Sequence, residues 1–174
     1  NKIPIDFKKK GSNPYSMDAN LLHISYEGEI LEDLKNSPND NMWRITKSLD
    51  NAKKKPNLIK LKFKNGNLIS INNMTQSPAR LIDRLNKIAG SHGIGRLDMV
   101  ESRYVGIKSR GCYETPGGTV ILFARKVIES VTLDREVIAL REDLMPRYAR
   151  LVYNGYWFSP ERILLQTLFD LSQE

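Results

Sequence analysis

Leu58-Ile59-Lys60-Leu61-Lys62-Phe63-Lys64-Asn65-Gly66-Asn67-Leu68-Ile69-Ser70-Ile71 is the stretch that decides the fold. Apolar and basic residues alternate from Leu58 to Phe63, and a second apolar run, Leu68 to Ile71, follows Asn65-Gly66. Alternation sends successive side chains to opposite faces of a strand. An Asn-Gly pair between two such runs marks a tight hairpin, because a type I′ turn needs positive φ at both central residues. The middle of the chain is therefore expected to hold an antiparallel pair.

Outward from that hairpin the pattern is mixed. Upstream, Leu21, Leu22, Ile24 and Tyr26 predict a short buried strand, and residues 37–55 read as a loop with a helical turn near Trp43. Downstream, Ser77-Pro78 opens a helix with Leu81, Ile82, Leu85, Ile88 and Ala89 on one face, and Gly90 is expected to close it. Leu97, Met99 and Val100, then Tyr104, Val105 and Ile107, predict two short strands. One helix is expected from about Gly118 to Ser130. Another starts near Thr132, runs toward Val152 with Thr132 or Asp134 as cap, and meets Pro146 as a point of kink or break. Ser159-Pro160 starts a last helix, with Ile163, Leu164, Leu168 and Leu171 at helical spacing and no stop signal before Glu174. Strands come mostly first and helices mostly later. The expectation is an α+β fold, a mostly antiparallel sheet with a hairpin packed by several helices, the last one truncated. Residues 1–13 read as a linker remnant and 14–174 as one domain, so the chain is expected to be a fragment cut at both ends.

Composition bounds the function. The chain has 174 residues, 40% of them hydrophobic, and a net charge of +7. That is too apolar for a disordered chain and suits one domain. A single cysteine excludes an intrachain disulfide framework and an all-cysteine metal site, and it fits a reducing compartment. No apolar run approaches the roughly 18 residues of a membrane span, and no secretory signal opens the chain. The positive charge raises the question of nucleic acid. Lys8-Lys9-Lys10 and Lys53-Lys54-Lys55 lie in stretches without interleaved aromatic residues, and they read as solvated loop lysines.

Candidate chemistry is sparse except in one place. His23 and His92 are far apart and have no metal-binding neighbour spacing. Cys112 has Lys108 and Arg110 near it but no local base, so it reads as a packing residue. Gly93-Ile94-Gly95 lacks the third glycine of a dinucleotide loop. Thr115-Pro116-Gly117-Gly118-Thr119 precedes a helix and reads either as an anion-holding helix start or as a turn with a cap. Residues 93–119, by contrast, hold four Arg or Lys, three acids, two tyrosines and six glycines. Glu101, Arg103, Lys108, Arg110, Tyr113 and Glu114 suit a zwitterionic ligand, or equally an ion-pair network on a sheet edge.

Two stretches carry a resemblance. Residues 14–28 run Pro-Tyr-Ser-Met-Asp-Ala-Asn-Leu-Leu-His-Ile-Ser-Tyr-Glu-Gly. Residues 93–119 run from Gly93-Ile94-Gly95-Arg96 through Glu101-Ser102-Arg103 and Lys108-Ser109-Arg110-Gly111-Cys112-Tyr113-Glu114 to Thr119. With Thr132–Glu136 and Leu151–Glu161, they resemble the C-terminal synthetase and multimerisation domain of argininosuccinate synthase. The resemblance spans nearly the whole chain except the loop 37–55. It implies a ligase that joins citrulline to aspartate through a citrullyl-adenylate, consuming ATP with Mg2+ and releasing AMP and pyrophosphate. It further implies a cytoplasmic homotetramer in arginine biosynthesis, with neither nucleic acid nor membrane as partner. The family's citrulline residues fall on Ser16, Ser25, Glu101 and Tyr113. Glu101 would pair with the ammonium, Ser16 and Ser25, read as lying on one extended segment, would meet ureido or carboxylate oxygens, and Tyr113 would offer a ring face and a phenolic donor. The family's nucleotide-binding domain, with its Ser-Gly-Gly-Leu-Asp-Thr-Ser phosphate loop, does not fall within this sequence. The fragment alone is therefore expected to be inactive. Ser102 and Ile107 depart from the family's more frequent Asn and Met. The alternative reading is a non-catalytic small-molecule or nucleic-acid-binding module that keeps the fold.

Overall fold

The computed structural model describes residues 15–173. The expected linker at residues 1–13 lies outside them. In chain order the elements are β1 (Ser16–Ala19), β2 (Ile24–Glu27), β3 (Leu61–Lys64), β4 (Asn67–Ile71), β5 (Met74–Thr75), α1 (Pro78–Ser91), β6 (Arg96–Ser102), β7 (Lys108–Glu114), α2 (Pro116–Thr132), α3 (Arg135–Tyr153) and α4 (Pro160–Leu171). Single 3-10 turns occupy Glu29–Glu32 and Asp40–Met42, the second next to Trp43 as expected. Both sheets are antiparallel, so the fold is α+β. The chain divides into two compact units, one built from the residues before 57 together with 82–119, the other from 57–81 with those after 119.

The first unit is organised by a four-stranded sheet in the order β1-β2-β7-β6. Its first hairpin turns at Asn20, whose side-chain oxygen accepts from the amides of Leu22 (2.8 Å) and His23 (3.0 Å). Leu21 and Leu22 therefore sit exposed in the turn, and the strand expected from Leu21 starts only at Ile24. Its partner β1 alternates polar and apolar residues, but over only four positions and with small or flexible side chains, so the pattern is faint in the sequence. At the other end of the sheet, Tyr104, Val105 and Ile107 form the β6–β7 loop rather than a strand. Gly106 has φ +85°, and the Arg103 amide bonds the Ile107 carbonyl at 2.7 Å, closing a tight loop that a continuing strand would prevent.

One face of this sheet carries the core. Ile24, Tyr26 and Cys112 pack with Leu31 and Met42, flanked by Met17, Tyr15 and Trp43. The Trp43 ring meets Tyr26 edge-on at 5.8 Å. Helix α1 buries Leu81, Leu85 and Ala89, one residue per helical turn. Gly90 does not close it. It lies inside the helix where the backbone crosses the loop: its carbonyl accepts from Lys47 at 2.9 Å, and a Cβ there would stand 2.1 Å from the Ile45 carbonyl oxygen. The stop is Gly93 (φ +72°), where the Gly93 amide bonds Gly90 and the Ile94 amide bonds Ala89, the paired bonds of a Schellman ending.

The second unit holds the expected hairpin. Lys64 pairs with Asn67 across Asn65 (φ 46°) and Gly66 (φ 69°). A second turn of the same kind, Asn72-Asn73 (φ 50° and 64°), adds β5. Asparagine tolerates this conformation, but without glycine the signal is faint. Asp134 caps α3, its carboxylate accepting from the amides of Glu136 (2.8 Å) and Val137 (3.2 Å). The helix runs unbroken through Pro146. Ser159 caps α4 over Pro160, and α4 ends at Leu171, with Ser172 as its C-cap, rather than at Glu174. Buried Arg141 ties three helices together. It bonds Glu129 of α2 at 2.9 Å, bonds Ser172 after α4, and lies 5.5 Å from the Phe169 ring.

Candidate functional site

Strand register brings the four expected site residues to one face. Ser16 pairs with Glu27, and Asp18 pairs with Ser25. Ser25 pairs in turn with Tyr113, Tyr113 with Leu97, and Glu101 with Ser109. Directly paired residues share a face, and so do residues two apart on a strand. Ser16, Ser25, Glu101 and Tyr113 thus lie together opposite the core, although no two of them are closer than nine residues in sequence. Ser16 and Ser25 stand on two strands of a hairpin, not on one extended segment as the sequence reading had it.

Two separate sets of side-chain bonds lie on this face. The Tyr113 hydroxyl donates to Glu101 Oε1. To reach it, the ring lies back over Gly111, where a Cβ would stand 2.8 Å from the hydroxyl, so glycine makes room for this pose. Burial first, then the hydrogen bond to Glu101 and its charge, push the Tyr113 phenol up to about 12, and it remains a donor at neutral pH. His23 approaches the Tyr113 ring at 6.3 Å. Arg103 Nε donates to Ser109 Oγ at 2.7 Å, and its Nη2 pairs with Glu27. Ser16, Glu27 and Ser109 also border a groove of about 660 Å³ that continues past Lys108 toward Glu29 and Glu32. Glu27, Ser109 and Gly111 are site-face residues that the sequence reading did not single out. The signal was present for Glu27, two residues beyond Ser25 and so on its face.

The charged residues of 93–119 divide between the faces. Arg110 grips Asp98 through Nε (2.9 Å) and Nη2 (2.8 Å) and the Asn36 carbonyl through Nη1 (2.8 Å). That bidentate bond holds the Asp98 carboxyl below its usual range. Lys108 donates to Ser102. Glu114 is fully buried and accepts five hydrogen bonds, from Tyr26 (2.6 Å), the amides of Arg44 (2.9 Å), Ile45 (3.1 Å) and Thr46 (2.8 Å), and the Thr46 hydroxyl. Burial by itself would raise its pKa, but those donors outweigh it and hold the carboxyl low, ionised as a structural anchor. The ion pairs expected of this cluster are present, Arg110 with Asp98 and Arg103 with Glu27. Glu101, Arg103 and Tyr113 face the open side, while Arg110 and Glu114 form an internal network. Burial first, then the neighbouring Asp98 carboxylate, push the Cys112 thiol up to about 11, and it packs rather than reacts.

The remaining candidates resolve structurally. In Thr115–Thr119, Pro116 has no amide donor, the Gly117 amide is taken by Asn86 at 2.8 Å, and the Thr119 amide by the Thr115 carbonyl. Pro116, Gly117 and Gly118 are buried, so this helix start does not fit a nucleotide phosphate. Among the described residues no group of three or more His, Cys, Asp or Glu is placed to hold a metal ion. No helix among them is long and apolar enough to cross a membrane.

Comparison with known proteins shows the family of the chain. The family described as the arginosuccinate synthase C-terminal domain matches residues 15–174. Argininosuccinate synthase of Nitrosospira multiformis is 58% identical over 171 residues, covering 98% of this chain and 42% of the relative. The enzyme of Nitrosomonas europaea is 60% identical with the same coverage. That of Campylobacter jejuni is 60% identical over 166 residues, 95% of this chain and 41% of the relative. The chain belongs to the argininosuccinate synthase family, in its C-terminal domain, and spans about two-fifths of the length of these curated relatives.

Proposed function

We propose that this chain supplies the citrulline-binding side of an ATP-dependent carbon–nitrogen ligase that condenses citrulline with aspartate to argininosuccinate. The observation that carries the reading is the convergence of Ser16, Ser25, Glu101 and Tyr113 on one sheet face, with the Tyr113 hydroxyl donating to Glu101. A carboxylate held in place by a phenol suits an α-ammonium, and the two serine hydroxyls suit the oxygens of the carboxylate and ureido groups. Citrulline is uncharged in its tail, so its pocket needs orientation more than charge there. The described residues offer no phosphate cradle. ATP with its Mg2+, and aspartate, are assigned to the part of the relatives' length that this chain does not cover. No step of the adenylation is derived from the residues here; their work is to bind and aim the ureido oxygen.

The same reading extends to assembly and place. Phe123, Val127 and Val131 recur every fourth residue on α2 and are exposed, Phe123 at 73% and Val131 at 80%. An apolar stripe of this kind favours burial against another subunit of a homotetramer. A cytoplasmic enzyme of arginine biosynthesis accords with the buried free cysteine and with the named relatives. The test of the central claim is Glu101→Gln in the full-length polypeptide. The KM for citrulline should rise at least about tenfold, with the KM for ATP unchanged. An unaltered citrulline KM would remove the assignment.

A further inference from the structure

Arg103 leaves the β6 strand at the mouth of its loop, pinned by two backbone bonds, its amide to Ile107 (2.7 Å) and its carbonyl from Gly106 (2.8 Å). From there its guanidinium reaches across the site face, to Ser109 on β7 and to Glu27 on β2. It thereby crosses the rows that hold Glu101 and Ser16, since Ser109 pairs with Glu101 and Glu27 pairs with Ser16. Glu101, Arg103 and Glu27 all bear on the Tyr113 hydroxyl. Their charges sum to −1, two carboxylates against one guanidinium. A third acid on the face, Asp18, lies on the edge strand and is exposed to water.

We propose that Arg103 sets the charge selectivity of the site: by pairing with Glu27 it cancels one of the two central carboxylates, so that Glu101 alone meets the single ammonium and the pocket takes an amino acid with an uncharged tail over one with a cationic tail. The inference rests on the citrulline reading above and assigns residues that reading does not use. The physical reason is local charge balance. Glu27 and Ser109 border the groove beside Ser16, and Ser109 is the strand partner of Glu101, so the tail of a substrate held at Glu101 would pass near Glu27. An unpaired carboxylate there would attract a guanidinium or ammonium tail, and the fixed guanidinium of Arg103 opposes it. Lysine would preserve the charge but not the two-point grip on Ser109 and Glu27.

The test is competitive inhibition of citrulline turnover by arginine, the cationic isostere of citrulline, in the full-length polypeptide. In Arg103→Gln, arginine should inhibit about three- to fivefold more tightly, the scale of one partly exposed charge pair. In Arg103→Lys, inhibition should stay at the wild-type level. In the double variant Glu27→Gln with Arg103→Gln it should return to that level. Glu27→Gln alone supplies an independent arm. It leaves Arg103 unpaired, and arginine inhibition should weaken by a similar factor. Arginine inhibition that is the same in Arg103→Gln, or in Glu27→Gln, as in wild type overturns the proposal, even where the citrulline KM has risen. Failure of the citrulline reading shows itself separately, as an unchanged citrulline KM in Glu101→Gln.

Discussion

Glu101 and Glu114 stand on opposite faces of one sheet, and their surroundings differ in kind. Glu114 is fully buried, with five donors converging on its two oxygens and a loop, Arg44 to Thr46, hung from it. Among the described residues Glu101 has one donor, the Tyr113 hydroxyl, and it stands on the face opposite the core. A carboxylate whose valence is filled from within holds a fold together. One whose valence is left open is available to a ligand. Tyr113 and Glu114 are neighbours in sequence, yet the strand period sends one to each face.

The sharpest way to break this comparison is the same substitution at both positions. Glu114→Gln replaces an acceptor oxygen with a donor amid five donors, and it should destabilise the protein by about 3 kcal/mol, read as a drop in thermal midpoint. Because the Glu114 carboxyl is held below its usual 4.5, its contribution is complete above that pH and is lost as pH falls through its depressed value. Acid denaturation curves should therefore lose part of their slope in this variant. Glu101→Gln should leave the thermal midpoint unchanged and raise the citrulline KM at least about tenfold. A large stability loss there would merge the two faces into one structural network.

Smaller changes sharpen each side. Tyr26→Phe removes one of the five donors to Glu114 and should cost about 1–1.5 kcal/mol, with citrulline kinetics intact. Gly111→Ala puts a methyl group 2.8 Å from the Tyr113 hydroxyl and should tip the phenol off Glu101. A rise in citrulline KM of about fivefold, the loss of one charge-assisted hydrogen bond, is expected, with little change in melting. Finally, Phe123→Glu on the exposed stripe of α2 should reduce the assembled mass seen by light scattering while each subunit stays folded.

The sequence reading was most accurate where local chemistry decides structure. Asn65-Gly66, Ser159-Pro160 and Asp134 each act within a few residues, through a positive φ, a fixed φ or a side-chain cap, and each stands where it was expected. It failed where a partner distant in sequence decides. Gly90 looked like a helix stop, but it is glycine because the Ile45 carbonyl passes against it, and the stop is Gly93. Tyr104, Val105 and Ile107 are a different kind of miss: they have the composition of a strand, and local backbone bonds around Gly106 hold them in a loop. The family resemblance named Ser16, Ser25, Glu101 and Tyr113 one by one, while the Glu27–Arg103 pair on the same face is visible only in the structure.

By itself the sequence determined the kinds of groups present: an acid, hydroxyls and a phenol in ordered motifs, helix caps, a hairpin turn, and a family membership that 58–60% identity supports. Only the tertiary structure decided which of the clustered charges face outward. Residues 98, 101, 103, 110 and 114 are close along the chain, and composition gives them one character. The strand period of two, together with the pairing of β6 and β7 in a fixed register, sorts Glu101 and Arg103 to the open face and Asp98, Arg110 and Glu114 to the other. A shift of β6 against β7 by one residue would carry Glu101 to the face of Arg110 and Glu114 and send Asp98 to the open one, placing two carboxylates where the core has donors for one.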